Sequence, residues 1–173
     1  RGELLQTAIL QAHKAVRRAA EADLSRRGMG TTLVVALLGS SRRRLWLANV
    51  GDSRAYLLRS GQLRQLTEDH TMRQHMIDAR QTSLTTDLPS RHILSQAVGR
   101  GDMLAPSGRS IRIRQGDRLL LCTDGLSGAI EDEDIHQQLS KSDLLNALCH
   151  ELIALANRRD GGDNITVVLV DVD

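Results

Sequence analysis

Phenylalanine is missing from this sequence altogether, and tryptophan and tyrosine occur once each, as Trp46 and Tyr56. A hydrophobic interior therefore has to be assembled from Leu, Ile, Val and Ala. Cysteine is scarce too. Cys122 and Cys149 stand far apart, without the close pairing of a metal knuckle or a disulfide framework. One falls in a Leu-rich strand pattern and the other in a helical one, so both read as buried free thiols of a protein expected in the reducing cytoplasm. The six histidines show no zinc-type spacing. No apolar stretch approaches the roughly 20 residues of a membrane-spanning helix, and no secretory signal pattern opens the chain. A strong charge of either sign is also lacking. A net charge of +2 gives no reason to expect a nucleic-acid or anionic-membrane partner. The basic run Arg42-Arg43-Arg44 follows Gly39-Ser40-Ser41 between two apolar segments, which is the setting of a solvated hairpin turn.

What is present suits a single domain over residues 1–173. That length allows a real core, and 40% hydrophobic with 25% charged residues is the balance of a globular protein. The first residue is Arg, and an amphipathic pattern begins at once with Leu4, Leu5, Ala8, Ile9, Ala12 and Val16. A chain cut from something longer is the expectation. The pattern predicts a helix from about Glu3 to Arg26, its last arginines complementing the helix dipole and Gly28 ending it. Thr31 to Leu38 is a continuous apolar run and predicts a strand buried on both faces.

Three short strands are expected in "RLWLANVGDSRAYLLRSGQLRQL", broken at Gly51-Asp52 and at Ser60-Gly61, the second break having hairpin chemistry. "TEDHTMRQHMIDAR" can be helical, whereas "QTSLTTDLPSRH" has no periodicity. "SIRIRQGDRLLLCTDGL" predicts a second hairpin turning at Gln115-Gly116, with a buried return from Arg118 to Cys122. Helices follow over about Glu133 to Leu139 and Asp143 to Asn157, the latter with Leu144, Leu145, Leu148, Leu152 and Leu155 on one face and Ser142 as N-cap. Ile165 to Val172 reads as a closing buried strand. Hairpins outnumber helix crossovers, which points to an α+β fold with antiparallel sheet layered with helices.

Three carboxylates share one setting. Asp52 follows the strand "LWLANV" and a glycine, Asp124 follows "RLLLCT" and precedes Gly125, and Asp163 lies between Gly161-Gly162 and "ITVVLV". Each is a short acid at a strand mouth, with glycine permitting close approach of backbone or ligand. Converging carboxylates repel unless protonated or bridged by a cation. Oxygen-only donors select the hard ions Mg²⁺ or Mn²⁺, and two such ions about 3.5–4 Å apart can clamp a phosphate and activate water. Asp and Gly are also ordinary turn residues. From the residues alone both readings of each Asp stay open.

The strings "GMGTTLVVALL", "LANVGDSRAYLLRSGQLRQLTEDH", "LSQAVG", "GDRLLLCTDGLSGAI" and "GGDNITVVLVDV" occur in the order and spacing of the metal-dependent protein phosphatases, the protein phosphatase 2C family. The chain most resembles the bacterial branch that reverses Hanks-type serine/threonine kinases, and the resemblance covers essentially all of it. It implies two packed antiparallel β-sheets flanked by helices. It implies hydrolysis of phosphoserine or phosphothreonine in proteins by a hydroxide held between two Mn²⁺ or Mg²⁺ ions, without a phospho-enzyme intermediate. On matching positions, Asp124 and Asp163 resemble the carboxylates that bind the catalytic pair, and Asp52 resembles a ligand of a third, weaker ion shared with Asp124. Gly125, Gly162 and Asn164 resemble supporting residues, Asn164 through hydrogen bonds. Residues from about Met72 to Ile93 resemble the flap beside the site.

The sequence also departs from the family pattern. No "RxxNxD" or "DGxGG" string occurs, so the early strands that carry a phosphate-gripping Arg and a metal-bridging Asp are not in this chain, and the 173 residues alone are expected to turn over weakly or not at all. "GAIEDEDI" has Glu131 or Asp132 where the family often caps a helix with Ser or Thr. Two functions fit: the phosphatase, or a phosphatase-like regulatory or binding domain that lost catalysis. Retention of Asp52, Asp124, Asp163 and Asn164 together favours the enzyme, since a catalytically silent domain has no chemical need for all four.

Overall fold

Two antiparallel sheets and their helices carry the chain, in the expected α+β class. The computed structural model describes residues 1–39, 43–79, 89–90, 92–142 and 144–173. They fall into two compact units: Arg1–Leu37, Trp46–Asp52 and Glu68–Ser110 in the first, and Leu38–Leu45, Ser53–Thr67 and Ile111–Asp173 in the second. Residues 40–42, where a solvated turn is expected, residues 80–88 and 91 of the expected flap-like stretch, and Asp143, the expected start of a helix, lie outside the described residues.

In the first unit, helix α1 (Gly2–Ala22) buries Ile9 and His13. Ile9 joins Ala48, Val50 and Val98 in an aliphatic cluster, with Leu5, Val16, Leu33 and Leu104 packed around it. The helix ends earlier than expected. Asp23 turns extended, and its Oδ1 accepts hydrogen bonds from the Ser25 N–H (2.9 Å) and the Ser25 hydroxyl (2.7 Å), starting a short 3₁₀ turn over Leu24–Arg26. A short acidic side chain that bonds nearby backbone competes with helix continuation. Arg26 and Arg27 are therefore not in the last turn of α1.

Strands β1 (Leu33–Leu38), β2 (Arg44–Val50) and β5 (Ser107–Arg112) form a sheet in the order β1-β2-β5. β2 is central and buries Leu45 and Leu47 to Val50. β1 is an edge strand with no fully buried residue, and Leu38 is 48% exposed, so the expectation of burial on both faces is corrected. Helix α2 (Met72–Asp78) is capped by Thr71, whose hydroxyl accepts from the Gln74 N–H at 3.1 Å.

The second unit holds β3 (Arg54–Arg59), β4 (Gln62–Gln65), β6 (Arg118–Cys122) and β7 (Val167–Asp171), in the order β4-β3-β6-β7. β3 and β4 make the expected hairpin, turning at Ser60 and Gly61, both at positive φ. The second expected hairpin does not form. β5 and β6 flank Gln115-Gly116 but belong to different sheets, β6 pairing with β3 and β7 instead. Asp117 explains the break: its carboxylate accepts from the Arg114 N–H (2.8 Å) and from Arg59 Nε and Nη2 (2.7 and 2.6 Å), so the turn is held to β3 rather than closing on its own strands.

Helices α3 (Asp124–Ser127), α4 (Asp132–Leu139) and α5 (Leu145–Arg159) follow. Leu126, Ile135, Leu139, Leu152 and Ala156 pack with Tyr56, Leu120 and Cys122 into the core of this unit. Glu131 occupies the N-cap position of α4 without a side-chain cap bond, and Asp132 instead accepts from the Tyr56 hydroxyl at 3.0 Å. α5 starts later than expected, with Leu144 rather than Ser142 at its N-cap, and Leu144, expected on the apolar face, is 82% exposed. β7 is an edge strand, none of its residues is fully buried, and Val168 is 50% exposed, which corrects the reading of a buried closing strand. Cys122 is buried, Cys149 half-buried, and neither is in a disulfide. Among the described residues, no helix is long and apolar enough to cross a membrane.

Candidate functional site

The β6–β7 pair ends its ladder at Cys122 opposite Val167. Just beyond it the two chains are tied by side-chain chemistry. The Thr123 N–H donates to the Thr166 carbonyl (3.1 Å), and the Thr166 N–H donates back to the Thr123 hydroxyl (3.0 Å). That hydroxyl in turn donates to the Asn164 carbonyl at 3.3 Å. One threonine thus uses its oxygen as donor and acceptor together, as a hydroxyl can, and fixes residues 164 and 166 against the mouth of β6.

Asp124 comes next, half-buried, as the first residue of the one-turn helix α3, whose end is closed by the Gly128 N–H on the Asp124 carbonyl at 2.7 Å. Gly125 is buried against the other loop. A Cβ built there would lie 2.3 Å from the Asn164 oxygen and 2.9 Å from its carbonyl carbon. Both obstacles are backbone, which cannot swing aside as a side chain can. Glycine is what lets the Thr-Asp-Gly turn lie on the Asp-Asn-Ile segment.

The second carboxylate arrives from α5. Its C-cap Asp160 leads into Gly161 at φ +63°, where a Cβ would meet the Asn157 carbonyl at 2.9 Å. Asp163 is exposed, and its Oδ1 accepts the Asn164 N–H at 2.7 Å. Gly162 is different: an added Cβ would make only ordinary contact, 3.4 Å from Asp160 Oδ1. Asn164 serves this junction through its backbone, the carbonyl receiving Thr123 and the N–H holding Asp163.

The second unit therefore brings Asp124, Gly125, Asp163 and Asn164 together at one end of the β6–β7 pair. Asp52 belongs to the first unit. It is 7% exposed on the turn after β2, behind Gly51 at φ +94°. A Cβ on Gly51 would meet Thr32 at 2.5 Å. Asn49 Nδ2 donates to the Glu68 carbonyl at 2.8 Å, and the His70 N–H donates to the Gly51 carbonyl at 3.0 Å. The Gly51 N–H donates to His70 Nδ1 at 3.3 Å.

The donor chemistry fits a hard cation as far as it goes: two short carboxylates, oxygen only, on loops held by backbone. Among the described residues no three His, Cys, Asp or Glu side chains form a group able to hold a metal. Sequence reasoning missed Thr123 and His70, although both stand inside quoted motifs. Neither has a periodic signature. Their roles come from hydrogen bonds to residues distant in sequence, which spacing does not reveal.

A family model described as protein phosphatase 2C matches residues 2–160. Serine/threonine protein phosphatase PstP of Mycobacterium tuberculosis is 38% identical over 172 residues, covering 97% of this chain and 32% of that protein. Serine/threonine phosphatase stp of Listeria monocytogenes is 35% identical over 171 residues, covering 98% of this chain and 67% of that protein. The chain thus spans about a third of the mycobacterial relative's length and two thirds of the listerial one's. Among solved structures, the S. agalactiae serine/threonine phosphatase matches with a TM-score of 0.88 at 30% identity, over 99% of this chain and 70% of that one. The catalytic domain of PstP in complex with two manganese ions matches with a TM-score of 0.79 at 38% identity, over 92% and 66%.

Proposed function

The chain belongs to the protein phosphatase 2C family, and on that premise we propose that the protein is a metal-dependent phosphatase of phosphoserine and phosphothreonine in proteins. One observation carries the reading: the Thr123–Thr166 junction seats the Asp124 turn on the Asp163-Asn164 segment, with Gly125 filling a space no other residue fits. Two short acids on separate loops at one end of a sheet offer the oxygen-only donors that a hard cation takes.

Asp124 and Asp163 are the proposed ligands of two Mn²⁺ or Mg²⁺ ions, manganese being the metal in the PstP complex. Asp52 is proposed for a further, weaker ion on the family resemblance. When bound, such ions supply charge that offsets the phosphate oxygens and acidify water at neutral pH. The chain's own residues orient: Thr123 fixes both loops, Gly125 allows their approach, and the Asn164 N–H holds one Asp163 oxygen in place. Gly162 and the Asn164 side chain are proposed as supporting residues on the resemblance. The substrates are phosphoproteins, in this proposal the products of a Hanks-type kinase, and the location the cytoplasm, in keeping with two cysteines outside any disulfide.

The test is phosphate release from a phosphothreonine peptide by the full-length protein. Release should stop with a chelator, return with Mn²⁺, and fall to background in Asp124→Asn and in Asp163→Asn. A folded full-length protein with no metal-dependent release would refute the enzyme and leave a phosphatase-like binding domain.

A further inference from the structure

His70 is only 7% exposed, and both of its ring nitrogens have partners. A backbone N–H can only donate, so Nδ1 facing the Gly51 N–H at 3.3 Å is the acceptor. In the neutral ring the proton then sits on Nε2, which donates to Ser107 Oγ at 2.8 Å. Burial pushes the His70 pKa down against the pull of Glu68 and Asp69, which favours this neutral form. The His70 main chain adds a second bond, its N–H donating to the Gly51 carbonyl at 3.0 Å. One residue thereby grips both polar groups of Gly51.

Gly51 has no room to yield. It stands at φ +94°, and the space where a Cβ would go is filled by Thr32. Its carbonyl carbon is bonded to the nitrogen of Asp52, so the plane of that peptide sets the direction in which Asp52 leaves the turn. The bond from Asn49 Nδ2 to the Glu68 carbonyl closes the same latch from the other side. We propose that His70 is a positioning residue which, through Nδ1 on the Gly51 N–H and its own main-chain N–H on the Gly51 carbonyl, fixes the peptides on both sides of Gly51 and with them the orientation from which Asp52 takes a divalent cation. This rests on the reading of Asp52 as a metal ligand given above.

The arrangement separates the two nitrogens. Asparagine places an acceptor where Nδ1 stands but cannot reach Ser107, whereas glutamine reaches toward Ser107 and leaves the Gly51 N–H without its acceptor. The experiment is a Mn²⁺ titration by calorimetry on the full-length protein, with the KM for Mn²⁺ and kcat at saturating Mn²⁺ measured alongside. Removing a group that orients a metal ligand lowers affinity about 10–100-fold, and His70→Ala and His70→Gln should both weaken the weakest class of Mn²⁺ site by that factor. Excess Mn²⁺ should restore kcat. His70→Asn should stay within about threefold of the parent.

Asp52→Asn separates the two ways of failing. If Asp52→Asn binds Mn²⁺ as the parent does, the ligand reading fails and this inference with it. If Asp52→Asn loses the weak site while His70→Ala keeps it, the inference about His70 alone is overturned. Should His70→Ala not fold, His70→Asn against His70→Gln decides. Equal affinities in that pair contradict the role given to Nδ1.

Discussion

Thr123 and Thr166 hold each other beyond the end of the β6–β7 ladder, backbone to backbone at 3.1 Å and backbone to hydroxyl at 3.0 Å. The second bond uses the side chain where the ladder has run out of regular backbone partners, and the same hydroxyl reaches the Asn164 carbonyl. Thr123→Val keeps the shape and removes the oxygen. With two bonds of about 0.5–1.5 kcal/mol each at stake, the urea midpoint should fall by the equivalent of about 1–2 kcal/mol with an unchanged slope. Thr123→Ser should recover most of it. A valine variant as stable as the parent would show that the hydroxyl does not tie the loops.

Gly125 carries the closest approach at the site, 2.3 Å from a would-be Cβ to the Asn164 oxygen. Gly125→Ala has to push two backbone segments apart. Overpacking of this kind costs about 1–3 kcal/mol, and because those segments bear Asp124 and Asp163, Mn²⁺ affinity should drop with the melting temperature. Gly162→Ala, with only ordinary contacts, should melt near the parent. Thermal scans of both variants, with and without Mn²⁺, check the contrast.

Asp117 is 2% exposed and bonded twice to Arg59 and once to the Arg114 N–H. Burial pushes its pKa up, but the Arg59 and Arg114 bonds outweigh burial and hold it below the ordinary carboxylate value. The sign follows from linkage: an acid whose pKa is depressed on folding gives stability that is complete above the unfolded-state value of about 3.9 and is lost as pH falls through the folded value. Denaturant midpoints measured from pH 5 down to pH 2 should fall, and the fall should be shallower in Asp117→Asn. At pH 7 that variant should lose about 1.5–3 kcal/mol, since its hydrogen bonds to Arg59 no longer join opposite charges. Equal slopes in parent and variant would remove Asp117 from the acid response.

Much of this was legible from residues alone, and each exception has an identifiable cause. The β3–β4 hairpin, the turn bearing Asp52 and the apolar face of α5 were readable because their signals are local: turn chemistry and periodicity. Asp124 and Asp163 were readable as acids at strand mouths, and the family resemblance supplied their pairing. The misreadings of the Gln115-Gly116 turn and of the two edge strands were non-local. Gln115-Gly116 has hairpin residues, yet Arg59 draws Asp117 to β3 and the flanking strands part. β1 and β7 read as buried because they are apolar on both faces, but edge position, which sheet order decides, leaves them exposed. Asp23 stopped α1 by a bond to Ser25 that helical periodicity does not register.

Direct counting of bound Mn²⁺ on the full-length protein tests the central claim most simply. Equilibrium dialysis of the parent should show two tightly held ions, and Asp124→Asn and Asp163→Asn, each still folded by circular dichroism, should each lose tight binding. Parent-like Mn²⁺ binding in both variants would contradict the account, and would return Asp124 and Asp163 to the role of ordinary turn residues.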